Sequence, residues 1–135
     1  MIYLDKEKTN PADIKQDEYG YYLLTGDNIY YVFGDAKVIA MNNVNVYAYD
    51  NVKVYAYDNS KSKAYDNSEA MAFGHSKVSA YENSEAMAFG HSKVMAFGHS
   101  KVSAYENSKV SAYDNSEVRS YNNAKLIDIR RKKWI

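Results

Sequence analysis

Three histidines, His75, His91 and His99, are the first residues of this chain whose type and spacing could do chemistry. Imidazoles recurring at regular intervals could stand one above another and hold a divalent metal. Only two of the three would be neighbours, and each follows a glycine with no carboxylate beside it. That donor set falls short of a metal site, so neither a metal nor another cofactor is expected. A second group is cationic: Arg130, Arg131, Lys132 and Lys133 form a run that could contact phosphate or an acidic partner. A third is apolar, with Met71, Phe73, Met87, Phe89, Met95 and Phe97 recurring in copies of one phrase, and Tyr81 and Tyr105 in neighbouring copies. No Ser-His-Asp spacing, glycine-rich phosphate loop or paired catalytic carboxylate stands out, and a non-enzymatic protein is expected.

What positions these residues is a repeat. From Val44 to Asn123 the chain is ten copies of an eight-residue phrase, such as SKVSAYEN or SEAMAFGH. Numbered from the Ser, position 1 is small, 3 is mostly Val, 5 is almost always Ala and 6 is Tyr or Phe. Positions 7 and 8 are Asp-Asn, Glu-Asn or Gly-His. Alternation at 1, 3 and 5 is that of a half-buried strand, and the closing pair is turn chemistry, because Asn and Gly tolerate positive φ and Asp can cap a turn. One octad is therefore one short strand and one corner. So short a strand cannot bury its face alone, and the copies must coil on one another about 4.8 Å apart. The fold class expected is all-β, a single parallel β-solenoid (β-helix).

Two octads or three could make one rung. If Ser, Val and Ala alone point inward, a two-sided rung fills, whereas a triangle leaves a void. Charge leans the other way: two octads per rung stack Glu69 on Glu85, while three alternate Glu69, Lys93 and Glu117. Packing outweighs charge and favours two. Counting from Gly20 to Arg131 gives fourteen octads. Residues 1–19, with the one proline, read as an N-terminal cap over open strand edges, 20–131 as the solenoid and 132–135 as a basic tail. Leu24, Tyr30 and Val32 are large enough to plug the first rungs.

Composition bounds the rest. The chain has 135 residues, no Cys and a formal net charge of zero, which excludes a thiolate metal site and binding through bulk charge alone. No long apolar run or secretory leader is apparent, so no membrane partner and a cytoplasmic location are expected. Fifteen Tyr are the anomaly. With 1, 3 and 5 inside, positions 2, 4 and 6 face out. Position 2 (Lys53, Lys61, Glu69, Lys77, Glu85, Lys93, Lys101, Lys109, Glu117) reads as a solvated stripe. Position 6 reads as a ladder of stacked rings. At position 4 the methionines add an apolar patch that calls for a cover, either a second copy in a homodimer or another protein.

Phrases such as AYDNSKV-type octads, over residues 36 to 123, resemble the octapeptide-repeat proteins of bacteriophages, prophages and gut bacteria. That resemblance implies a β-solenoid in a bacterial or phage setting and carries no functional residue with it. The expectation is then a phage or prophage accessory protein that binds a bacterial host protein, occluding a defence enzyme as anti-CRISPR proteins do. Tyr and Phe are effective interface anchors. The alternatives are a structural or adhesive module, such as a tail-associated or self-assembling solenoid, and a glycan or single-stranded nucleic-acid binder using the aromatic ladder. Nucleic acid is the less favoured ligand.

Overall fold

The computed structural model describes residues 2–4 and 14–128, and every regular element in them is a strand. In chain order these are β1 (Ile2–Leu4), β2 (Lys15–Gln16), β3 (Tyr21–Leu24), β4 (Ile29–Val32), β5 (Lys37–Ala40), β6 (Asn45–Ala48), β7 (Lys53–Ala56) and β8 (Lys61–Ala64). They continue as β9 (Glu69–Ala72), β10 (Lys77–Ala80), β11 (Glu85–Ala88), β12 (Lys93–Ala96), β13 (Lys101–Ala104), β14 (Lys109–Ala112), β15 (Glu117–Ser120) and β16 (Lys125–Asp128). From β3 onward, odd strands stack in one parallel sheet and even strands in another. We call the even-strand sheet A and the odd-strand sheet B. Register pairs Val78 with Val94 and Ala86 with Val102, so each rung holds two octads and the fourteen repeat strands make seven turns.

The burial pattern explains the rung. In the octad Ser76 to Asn83, Ser76, Val78 and Ala80 are buried while Lys77 is exposed. Three small inward side chains per octad let two sheets close directly on each other, and a wider triangle would leave them unpacked. Glu69 does sit beside Glu85. Solvent-facing like-charge contacts of this kind cost less than a void along the whole axis, and Lys53 Nζ lies 4.0 Å from Glu69 Oε2 to offset this one. The first rungs are filled by larger residues, with Leu4, Leu24, Tyr30 and Val32 all buried.

Corners keep the ladder continuous. Ser84 N–H donates to the Tyr81 carbonyl at 3.1 Å, closing the turn that joins one octad to the next. Tyr81 N–H donates to Ala64 O at 2.8 Å and Asn83 N–H to Asp66 O at 3.1 Å, so backbone pairing with the preceding rung runs on around the bend. Ser68, Ser108 and Ser116 turn their hydroxyls to the carbonyl three residues back, at 2.7–2.8 Å. Each of these three hydroxyls is thereby satisfied locally at the point where the chain turns.

The corner conformation departs from expectation in one respect. Positive φ falls on position 7, not on the Asn of position 8: Asp50, Asp58, Asp66, Glu82, Glu106 and Asp114 have φ of 57–62°. The aspartates have a reason to accept this backbone. Asp50, Asp58, Asp66 and Asp114 each accept a hydrogen bond, at 3.0 Å, from the position-7 N–H of the preceding rung. A carboxylate thus satisfies an amide that the corner would otherwise leave to water. In the Gly-His corners the same place is taken by glycine; a Cβ on Gly98 would meet the Glu82 backbone nitrogen at 3.0 Å.

Residues before the solenoid cover its first edges. β1 extends sheet A in parallel with β4, and β2 runs antiparallel to β3 at the edge of sheet B. Reversed direction ends the parallel stacking there. The tail, 132–135, and with it Arg130, Arg131, Lys132 and Lys133, lies outside the described residues. Among the described residues no helix is long and apolar enough to cross a membrane.

Candidate functional site

Because successive octads alternate between sheets, outward residues sort onto two faces by every second octad. On sheet B the position-4 column is Leu23, Ile39, Tyr55, Met71 and Met87, each in register with the next. It ends at Ser103. Next to it run the position-6 rings Tyr57, Phe73, Phe89, Tyr105 and Tyr121, stacked at 4.9–5.1 Å. On the other side is a mixed-charge column, Lys37, Lys53, Glu69, Glu85, Lys101 and Glu117. Sheet B therefore presents an apolar stripe two residues wide with both charge signs along its border.

The apolar residues singled out from sequence divide between the faces. Met71, Phe73, Met87 and Phe89 lie together on sheet B with Tyr105, and Met87 is 38% exposed. Met95 and Phe97 are on sheet A, where Met95, 49% exposed, stands between Ser79 and Ser111. Phe97 stacks between Tyr81 and Tyr113 at 5.0 and 4.7 Å. The octads beginning at Ser84 and Ser92 are consecutive, so they face opposite ways. Leu23 and Ile39 extend the sheet B stripe, although the sequence pattern does not single them out. Their signal is hydrophobicity at position 4 of every second octad, in copies whose other positions have drifted from the phrase.

The rings are oriented for support rather than capture. Neighbouring planes in the ladders are 5–11° apart, so each ring inside a ladder is covered on both faces by the rings above and below it. What points outward is edges and hydroxyls. Burial, followed by the adjoining Tyr81 and Tyr49, pushes the Tyr65 phenol above its ordinary range. A hydrogen bond with Tyr21, followed by burial, does the same for Tyr55, whose ring meets that of Tyr21 edge-on at 5.5 Å.

The histidines separate too. His75 and His91 stack at 5.5 Å at the corner following sheet B strands, while His99 lies at the other corner, where its N–H donates to Glu82 O. Among the described residues no three His, Cys, Asp or Glu side chains are grouped to hold a metal. At the His99 corner, a hydrogen bond with Asp66 raises the Glu82 carboxyl above its ordinary range.

A feature hidden by treating every octad alike is the charge of sheet A. From β8 onward its position-2 column is Lys61, Lys77, Lys93, Lys109 and Lys125, in unbroken register. All glutamates of the solvated stripe, Glu69, Glu85 and Glu117, belong to sheet B. The two faces thus differ in chemistry: one apolar with a neutral border, the other cationic. No family model matches the chain, and neither a curated protein nor a solved structure matches it.

Proposed function

We propose that the chain is a non-enzymatic binding protein that docks a protein partner on the sheet B face. The observation that carries this reading is the in-register column Leu23–Ile39–Tyr55–Met71–Met87 beside the Phe73–Phe89 ladder. Apolar and aromatic residues at the centre with charges at the border are the anatomy of a protein interface. Methionine adapts to an irregular apolar partner, and the parallel sheet holds the column without conformational cost. The border contains three lysines and three glutamates, so it selects a partner carrying both signs rather than a polyanion.

The resemblance to octapeptide-repeat proteins of phages and prophages supports a bacterial host protein as that partner. Occlusion of a host defence enzyme, in the manner of anti-CRISPR proteins, requires only such a surface and no catalytic group. The test is isolation of tagged protein from a bacterial lysate, followed by reconstitution with the purified partner and light scattering. A stoichiometric complex that is lost in Met71→Ser/Met87→Ser, survives in Met95→Ser and inhibits the partner's activity supports the reading. A homo-oligomer dispersed by the same pair would replace it with self-association.

A further inference from the structure

The lysine column of sheet A has no role in the sheet B interface and needs an account of its own. Lys61, Lys77, Lys93, Lys109 and Lys125 occupy the first residue of β8, β10, β12, β14 and β16, all five exposed. Each is paired in register with the next. The rings of the same sheet repeat at 4.9 Å, so the five ammonium stems span four rungs, roughly 20 Å along the axis. Like charges directly opposite on neighbouring strands weaken pairing. Sheet B interrupts its column with Glu69, Glu85 and Glu117, and sheet A does not. From β6 to β16 positions 2 and 4 of sheet A carry no carboxylate at all. Asp58 and Glu106 sit at the adjoining corner, but the Asp58 carboxylate is held by Asn42 N–H at 3.0 Å.

We infer that this column binds an extended anionic polysaccharide, one acid group per sugar ring, laid along the solenoid axis. A straight row of equally spaced cations complements a straight polymer of regularly spaced anions: an extended uronic-acid chain advances by close to one rung per sugar and turns every second carboxylate to the same side, so that alternate lysines of the row meet a carboxylate. Beside the lysines stand Ser79 and Ser111, whose hydroxyls suit sugar hydroxyls. Single-stranded nucleic acid is held by cations along its backbone together with exposed ring faces on which its bases stack. Here Tyr49, Tyr65, Tyr81 and Phe97 each have a stacked ring on both faces, within 9° of parallel. This inference is independent of the sheet B interface.

The test is titration of the full chain with an oligomeric polyuronate at low and physiological salt, alongside two triple variants. Lys77→Gln/Lys93→Gln/Lys109→Gln removes the column's centre, and Lys37→Gln/Lys53→Gln/Lys101→Gln makes the same change of net charge on sheet B. The sheet A triple should weaken binding by about tenfold or more, while the sheet B triple stays within about twofold. Circular dichroism checks that both remain β. Absence of binding by the parent chain, equal loss in both triples, or tighter binding of an oligonucleotide of equal charge would overturn the proposal.

Discussion

The carboxylate of Asp114 accepts a hydrogen bond from the backbone N–H of Gly98, 3.0 Å away on the preceding rung. Asp114 itself holds φ at 57°, where most side chains are strained. Its short carboxylate thus serves two purposes, tolerating the corner and tying it to its neighbour. Asp114→Asn keeps an acceptor and should change stability by under about 0.5 kcal/mol. Asp114→Ala loses the bond and keeps the strain, and should cost about 2 kcal/mol in urea unfolding. Asp114→Gly relieves the strain and should fall between them.

Where carboxylates meet on successive rungs, pH enters. The hydrogen bond with Asp66 raises the Glu82 carboxyl, so the folded chain holds a proton that the unfolded chain has released. Native protein therefore binds more protons in the interval between the ordinary glutamate value and the raised one. Stability contributed by this pair is complete below that interval and is lost as pH rises through it. Glu82→Gln should raise the thermal midpoint at neutral pH and lose its advantage on acidification. A midpoint difference that does not vary with pH would contradict the shared proton.

Core volume is tightly specified by the two-octad rung. Ala88 is buried in register between Ala72 and Ala104. Ala88→Leu should cost about 3 kcal/mol by forcing the two sheets apart. Val94→Ala, at an inward position on the opposite sheet, should cost about 2 kcal/mol through lost burial and a residual cavity. Both are read by denaturant unfolding.

The aromatic ladders contribute less per residue. Phe97 stacks on Tyr81 and Tyr113. Phe97→Leu should cost about 1–3 kcal/mol in the same unfolding measurement, since it removes two ring pairs. Phe97→Tyr preserves both and should be close to neutral. Equal losses in the two variants would mean that the ring stack contributes nothing beyond its area.

Much of this architecture follows from the octad alone, and what does not has a physical cause. Burial of Ser76, Val78 and Ala80 is alternation, visible in any copy. The two-octad rung follows from side-chain volume, which autocorrelation cannot supply because offsets of two and three octads match alike. Position 7 is harder to read: the aspartates that take positive φ there are tied to the preceding rung by their carboxylates, a contact that local preference, which points to Asn, does not reveal. The division of Met71 and Met87 from Met95 is also non-local. It emerges once rung size is fixed, as does the lysine column from Lys61 to Lys125.

Both proposed surfaces therefore depend on alternate octads facing opposite ways. In this cysteine-free chain that is directly measurable with paired cysteines and a short bis-maleimide reagent. Met71→Cys/Met87→Cys places the thiols on adjacent strands of sheet B, and Met71→Cys/Met95→Cys places them on opposite sheets. Rapid intramolecular cross-linking of the first pair with none in the second is the predicted result. Cross-linking of Met71→Cys/Met95→Cys in its place would mean three octads to a rung, and would contradict both faces at once.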